Sequence, residues 1–267
     1  MPDTLTLADS AFLAPDGGAP DAVLLEARRL TRRFGGLAAV DDVSLVLRRG
    51  EVHAVIGTNG AGKSTLVNLL SGELAPSAGS VFLGSDDITR WSQPRRARAG
   101  IGRSYQRTNI FNEFSVFENA RLSAQAAHQR VWALWQGARG CARSGPVAAS
   151  AIDAVGLGRH AGEPAGNLSH GGKRQLEIAM CLATRPQVLL LDEPLAGMGA
   201  EETERMLGLL AALKTEHAVL LVEHDMDAVF AVADLITVMV NGQVLESGAP
   251  EQIRASAAVQ QAYLGDA

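Results

Sequence analysis

Apolar residues recur along this chain with two spacings, and each spacing predicts a different kind of element. Short apolar runs over residues 23–47, broken by "RRFGG" and "VDDVS", predict an antiparallel sheet near the N-terminus. The run "EVHAVIG" predicts a strand that ends in glycine, and "KSTLVNLLSG" predicts a helix that Gly72 closes. Farther along, "GSVFLG" predicts another strand and "PRRARAG" a short basic helix.

The segment from Tyr105 to about Gly166 has a different composition. Three aromatic residues, Phe111, Phe114 and Phe117, lead into an Ala-rich sequence that is predicted to be mostly helical. Within it, "QGARGCARSGP" interrupts the periodicity and predicts a loop.

Strands and helices alternate in the last third of the chain. The short apolar run of "QVLLLDEP", bounded by prolines, predicts a buried parallel strand, as does "AVLLVEH". Between them, "AEETERMLGLLAALKTE" carries acids in its first turn and apolar residues at Met206, Leu210 and Leu213, so it predicts a helix. This order predicts a parallel crossover unit. Asn241 and Gly242 separate two strand-like runs and predict a hairpin, and a short C-terminal helix follows.

Composition narrows the possible functions. At 267 residues and 47% hydrophobic, the chain can bury a substantial core, and its net charge of -5 argues against a general nucleic-acid binder. The two cysteines, Cys141 and Cys181, predict no disulfide framework, and Cys181 is expected in the core. No run of about 18 apolar residues occurs, so no membrane span is predicted. Residues 1–21 lack a basic start and are predicted to be a flexible extension rather than a signal peptide.

A phosphate-binding loop is the clearest chemical motif. The sequence "GTNGAGKST" matches G-x-x-x-x-G-K-[ST], with a strand predicted before it and a helix after it. In such a loop backbone amides surround phosphate oxygens, Lys63 places a positive charge on the outer phosphates and the Ser64 hydroxyl can bind magnesium. The motif consists of Gly57, Thr58, Asn59, Gly60, Ala61, Gly62, Lys63, Ser64 and Thr65.

Two acids and a histidine follow the buried strands. Asp192 is placed to hold magnesium through water and Glu193 to polarise an attacking water, although the pair could instead cap the next turn. His224 ends the neighbouring strand, where ligands bind in parallel sheets, so we expect it to contact a terminal phosphate. Taken alone, Gln106 predicts only a surface residue and Phe34 only a core residue.

The stretch "NLSHGGKRQLEIAMCLAT" predicts a second helix start suited to an anion. Ser169 can cap the first turn, yet Lys173 and Arg174 stand where the helix dipole favours acids. A separate basic stretch is predicted to be a solvated face, with anionic lipid headgroups as the alternative. It comprises Arg95, Arg96, Arg98, Arg103 and Arg107.

Together, "GTNGAGKST", the Gln106 loop, "LSHGGKRQ", "VLLLDEP" and "VEHD" resemble, in this order, the nucleotide-binding subunits of ATP-binding cassette (ABC) transporters. The resemblance covers about residues 23–265. Within the family, "RFGGLAAVDDVSL", "AGIGRSYQRTNIF" and "LLLDEPLAGM" are similar to the ATPases of branched-chain amino acid uptake systems of the LivG type.

The resemblance implies an α/β P-loop NTPase fold of the ABC-ATPase kind. Residues 22–267 would form the ATPase domain. Residues 22–106 and 181–267 would hold a RecA-like catalytic core with an N-terminal antiparallel β subdomain, and residues 107–180 an inserted α-helical subdomain.

It also implies roles for individual residues. Phe34 would stack on adenine, and residues 57–65 would hold the phosphates of ATP. Ser64 and Gln106 would bind Mg²⁺ directly and Asp192 through water. Glu193 would act as general base, with His224 at the terminal phosphate. The amide of Gln106 is also chemically able to orient a water. Ser169 and Gly171 would close over ATP held by a second ABC ATPase subunit.

The implied partners are membrane permease subunits, docked near Phe111 to Phe117, and indirectly a solute-binding protein. The chain would lie at the cytoplasmic face of the inner membrane and bind no nucleic acid. The alternatives are a soluble ABC ATPase acting on nucleic acid or ribosomes and an exporter ATPase of the lipopolysaccharide-transport type. A small-molecule P-loop kinase would leave Ser169 and His224 without a role.

Four positions depart from the family pattern. His170 and Gly172 replace Gly and Gln of Leu-Ser-Gly-Gly-Gln, Gly199 stands where many members have Asp, and Thr58 stands where Pro is common.

Overall fold

A computed structural model describes residues 22–105, 109–128 and 144–264. These residues fall into two compact units. One lies within Arg107–Pro186, and the other combines Gly18–Gln106 with Gln187–Ala267. The predicted extension over residues 1–21 and most of the predicted "QGARGCARSGP" loop lie outside the described residues.

An antiparallel sheet forms the first part of the larger unit. Its strands are β1 (Val23–Phe34), β2 (Leu37–Arg48), β4 (Ala78–Leu83) and β5 (Asp86–Asp87), in the order β2-β1-β4-β5. The prediction of a break at "VDDVS" is wrong, because this segment lies inside β2. There Asp42 adopts a left-handed φ of 56°, and its N–H donates to Thr31 Oγ1, so a local irregularity replaces the expected break.

A six-stranded sheet forms the centre of the same unit. Its strands are β3 (Val52–Gly57), β6 (Ile101–Arg103), β7 (Val188–Asp192), β8 (Ala218–Val222), β9 (Leu235–Val240) and β10 (Gln243–Gly248). The order is β10-β9-β3-β8-β7-β6, with all neighbours parallel except β9 and β10. The predicted crossover unit and the hairpin at Asn241 and Gly242 are confirmed, and both hairpin residues have the positive φ that a tight turn requires.

Nine α-helices occur among the described residues. They are α1 (Lys63–Ser71), α2 (Gln93–Arg98), α3 (Val116–His128), α4 (Ser144–Ala154), α5 (His170–Leu182), α6 (Ala200–Leu213), α7 (Met226–Val232), α8 (Pro250–Ala255) and α9 (Ala257–Leu264). Helices α3, α4 and α5 belong to the smaller unit, whose described part is helical as predicted. Gly72 ends α1 in a left-handed conformation, also as predicted.

Helix α1 packs into a core that both sheets share. Its residues Leu66, Val67, Leu69 and Leu70 are fully buried together with apolar residues of β1, β2, β3, β7 and β8. A fully buried run on a helix that follows a phosphate loop leaves the helix little freedom to shift. The helix start is therefore fixed by the core rather than by local sequence alone.

The basic stretch is not one solvated face, because Arg96 is fully buried. Its Nη1 donates to Leu69 O at 2.8 Å and Leu70 O at 2.7 Å, and its Nη2 donates to Thr89 O at 3.0 Å. Burial lowers the pKa of Arg96 to about 10. Arg96 therefore caps the last carbonyls of α1 instead of facing solvent or lipid. Arg107 lies outside the described residues.

Candidate nucleotide-binding site

The phosphate loop connects β3 to α1 and passes close to other backbone segments. A Cβ atom on Gly57 would lie 2.3 Å from Met239 O, and one on Gly62 would lie 2.2 Å from Ala39 O. Both distances are far below van der Waals contact, so only glycine fits at these two positions. The loop is thus shaped by its contacts with β9 and β2.

The hairpin turn after β9 supports the loop from behind. Gly242 N donates to Ala61 O at 3.0 Å, and Asp41 N donates to Gly242 O at 2.8 Å. The buried Ala61 is therefore linked through Gly242 to β2. This arrangement fixes the loop without using the amides at the start of α1, where anions bind.

Lys63 is buried within its own loop. Its Nζ donates to Gly57 O at 2.6 Å and to Thr58 O at 3.1 Å. Burial lowers the pKa of Lys63, and the negative charges of Glu193 and Asp192 oppose that shift. The ammonium group is therefore held at the loop, in the electrostatic field of both acids.

Asp192 and Glu193 stand at the carboxyl end of β7, as predicted. Asp192 is 3% exposed, and its N–H donates to Ser104 Oγ at 3.2 Å. Glu193 has a left-handed φ of 49°, which is uncommon for a residue with a side chain, and its N–H donates to Val222 O at 2.9 Å. Glu193 O also accepts from Ala196 N at 3.3 Å, so Glu193 takes part in the turn that the alternative assigns to it.

His224 follows β8 and lies beside Glu193. Its Nδ1 is 3.9 Å from Glu193 Oε1 and 3.8 Å from Glu223 Oε2, and its side chain is 63% exposed. Strands β3, β7 and β8 are adjacent and parallel, so Lys63, Glu193 and His224 follow the same edge of the sheet. This is the edge at which ligands bind in parallel sheets.

The remaining predicted residues of the loop surround this edge. Asn59, Gly60 and Ser64 are exposed, while Thr58 and Thr65 are half-buried. Among the described residues no group of three or more His, Cys, Asp or Glu side chains is placed to hold a metal. The hydroxyl of Ser64 and the carboxylate of Asp192 are oxygen donors that suit Mg²⁺, which keeps waters and phosphate oxygens as its other ligands. Gln106, the other predicted ligand, lies outside the described residues.

Phe34 does not lie in the core, so the position expected for a phenylalanine taken alone is wrong. It ends β1 with 46% of its surface exposed, and the Arg32 guanidinium lies 4.7 Å from its ring centroid. Arg32 is held in turn by a hydrogen bond from its Nη1 to Ala75 O. An exposed aromatic ring with a cation against it is suited to stacking on a planar base.

The second predicted anion site lies in the smaller unit. Ser169 caps α5, and its Oγ accepts from Gly172 N at 3.1 Å, as predicted. Gly171 and Gly172 are buried, whereas His170 is exposed. Ser169 and Gly171 therefore lie at the start of a 13-residue helix.

One part of that prediction is wrong. Arg174 is buried and its Nη1 pairs with Glu177 Oε2 at 2.8 Å, both side chains being 5% exposed. Lys173, whose N–H donates to Ser169 O at 2.9 Å, closes the first turn as predicted. Arg174 is thus neutralised by Glu177 and contributes to the packing of α5 rather than to an anion site.

Comparisons with known proteins place this geometry in a family. The model of the ABC transporter family matches residues 40–196, and that of the branched-chain amino acid ATP-binding cassette transporter family matches residues 243–267. The chain belongs to the ABC transporter ATPases. No helix in the part of the chain that the structure describes is long and apolar enough to cross a membrane.

Individual relatives cover most of this ABC ATPase. The chain is 39% identical over 254 residues to the "high-affinity branched-chain amino acid transport ATP-binding protein LivG" of Salmonella typhimurium, spanning 91% of the chain and 98% of the relative. It is 40% identical over 252 residues to the corresponding protein BraF of Pseudomonas aeruginosa, with the same coverage.

Solved structures share the ABC-ATPase fold. A nucleotide-free ATP-binding cassette from an ABC transporter has a TM-score of 0.81 at 26% identity, covering 90% of this chain and 98% of that one. A cassette in its ADP conformation has a TM-score of 0.81 at 27% identity, covering 91% and 99%. The fold predicted from the motifs is confirmed.

Proposed function

We propose that this chain is the ATP-binding subunit of an ABC importer, which hydrolyses ATP to drive uptake of branched-chain or related amino acids through a membrane permease. The observation that carries the proposal is the convergence of Lys63, Asp192, Glu193 and His224 at one edge of the sheet. The substrate class rests on the similarity to LivG and BraF.

The site residues divide the chemistry among them. The amides of residues 57–65 and the Lys63 ammonium hold the phosphates, and Phe34 stacks on adenine. Ser64, Gln106 and, through water, Asp192 would hold Mg²⁺, which neutralises phosphate charge when bound. Gln106 would also orient the attacking water.

Glu193 acts as general base in this mechanism. Its carboxylate takes a proton from water as the water oxygen bonds to the terminal phosphorus, and the bond from that phosphorus to the ADP oxygen breaks. His224, whose imidazole stands beside Glu193, contacts the terminal phosphate and fixes its position. The products are ADP and inorganic phosphate.

The phosphate loop and the helix start at Ser169 lie in different units of the chain, which supports a dimer as the working form. In this proposal residues 22–106 and 181–267 form the catalytic core, and residues 107–180 form the helical subdomain. Ser169 and Gly171, at the start of α5, close over the ATP of a second ABC ATPase subunit. Each chain then contributes to both sites, so a monomer is nearly inactive.

The permease would dock on the smaller unit. Phe111 and Phe114 are 56% and 45% exposed, and their rings stack with centroids 5.3 Å apart. Exposed aromatic pairs are typical of protein interaction surfaces. The chain would therefore lie at the cytoplasmic face of the membrane, with the solute-binding protein acting through the permease. The relatives favour this importer over the nucleic-acid and exporter alternatives.

Glu193→Gln tests the proposal. The variant should bind ATP as tightly as the wild type, lose about 100- to 10,000-fold in hydrolysis, and accumulate as an ATP-bound dimer in size-exclusion chromatography. Glu201→Gln is the matched control, because Glu201 is exposed on α6 and pairs only loosely with Arg205. Hydrolysis by Glu193→Gln at the wild-type rate would refute the general-base role.

A further inference from the structure

Glu223 is a buried carboxylate beside the site for which the motifs predict no role. It directly follows β8, precedes His224 and is 1% exposed. Its Oε1 accepts from Leu195 N at 2.8 Å, and its Oε2 accepts from His224 N at 3.2 Å. One carboxylate thus joins the segment after β7 to the segment after β8.

The segment after β7 contains the strained Glu193. Its left-handed backbone persists only where the surroundings hold it. Glu193 N donates to Val222 O, Pro194 has no N–H, and Leu195 N donates to Glu223. Both backbone donors of residues 193–195 are therefore bound by the end of β8, one of them by the side chain of Glu223.

An acid is a costly residue at this position. Burial raises the pKa of Glu223, as does the nearby negative charge of Glu193, while the amides of Leu195 and His224 and the charge of His224 oppose the shift. A leucine would suit the burial but would leave the N–H of the buried Leu195 without this acceptor. The hydrogen bonds that the carboxylate accepts, rather than its burial, explain why an acid stands at position 223.

We propose that Glu223 is a positioning residue for hydrolysis: it holds the turn at residues 193–195 and thereby the direction in which the Glu193 carboxylate points. The proposal rests on the proposed function, because it takes Glu193 as the general base. Glu223 itself touches neither nucleotide nor water in this mechanism.

Amide hydrogen exchange tests the hold on the turn directly. In the full-length chain, Glu223→Ala should raise the exchange rate of the Leu195 amide by about tenfold. Glu223→Gln should keep most of the protection, because an amide oxygen can accept from Leu195 N as the carboxylate does. Equal protection in wild type and Glu223→Ala would overturn the proposal.

Steady-state kinetics test the consequence for hydrolysis. Glu223→Ala should lower kcat about 10- to 100-fold and leave the KM for ATP within about twofold, because a misdirected base slows chemistry while the phosphate loop is unchanged. Glu223→Gln should recover most of the loss. A wild-type kcat in Glu223→Ala, or a raised KM with unchanged kcat, would contradict the positioning role.

Asp234→Ala is the matched control for general destabilisation. Asp234 accepts from Val52 N at 2.9 Å and pairs with Lys214 at the opposite end of the same sheet. At a temperature where both variants are folded, Asp234→Ala should leave kcat unchanged. A fall in kcat equal to that of Glu223→Ala would overturn the proposal. If the wild type itself fails to hydrolyse ATP, the proposed function fails, while the exchange experiment still decides whether Glu223 holds the turn.

Discussion

Replacing Gly62 by alanine should strongly impair the phosphate loop as a binding site. The added Cβ would lie 2.2 Å from Ala39 O, so the loop or β2 must shift by roughly 1 Å to restore ordinary contact. The left-handed backbone at Gly62, with φ of 101°, adds about 1–2 kcal/mol for any residue with a side chain. Because a 1 Å displacement can cost about 100-fold, we expect kcat/KM for ATP to fall by about that factor.

Gly50→Ala separates the cost of the left-handed backbone from the cost of the contact with Ala39 O. Gly50 has a similar φ of 85° in the turn between β2 and β3, yet its Cβ would meet nothing within 4 Å. Urea unfolding should show about 1–2 kcal/mol of lost stability in Gly50→Ala and a larger loss in Gly62→Ala, where the contact with Ala39 O adds to the backbone cost. Fluorescent nucleotide titration and ATPase kinetics should show a large loss only in Gly62→Ala. Kinetic constants within about threefold of each other would refute the argument from the Ala39 contact.

Three further predictions follow from contacts already described. Ser169→Ala should lose about 1 kcal/mol in urea unfolding because the cap on Gly172 N is removed, whereas Ser169→Asn should retain it. Arg96→Ala should lower the free energy of unfolding by about 3–5 kcal/mol, because three backbone carbonyls lose their donor. The exposed Arg95→Ala should cost less than about 1 kcal/mol, and equal losses would contradict the capping role. Ser169→Arg and Lys63→Ala chains should each be nearly inactive alone and hydrolyse ATP when mixed, and full activity of dilute wild-type monomer would rule out shared sites.

The parts of the fold that follow short sequence patterns could be predicted. The apolar runs of β7 and β8, the glycine that closes α1 and the Asn-Gly turn each depend on residues close in sequence. The site at the edge of the sheet then follows from the order of the strands. Its individual roles, and the domain boundaries, remain predictions.

Several of the failures involve partners distant in sequence. Nothing near Arg96 shows that the carbonyls of α1 surround it, and the irregularity that keeps "VDDVS" inside β2 depends on Thr31 in β1. Glu223 could have been noticed as an acid at the end of an apolar run, but its partner Leu195 lies 28 residues away. For Arg174 the partner was close, since Glu177 lies one turn along α5, yet burial rather than spacing decides the pairing.

The position of β3 has a consequence for synthesis on the ribosome. The strand that carries the phosphate loop is paired on both sides by strands from the last quarter of the sequence, β8 and β9, and the turn that supports the loop follows β9. A nascent chain that has emerged only to α6 contains every residue of the loop but neither neighbour of its strand. The nucleotide site is therefore completed late, because the apolar β3 pairs with strands that are synthesised more than 160 residues after it. Until then this strand lacks both of its hydrogen-bonding neighbours, and an unpaired apolar strand can pair wrongly.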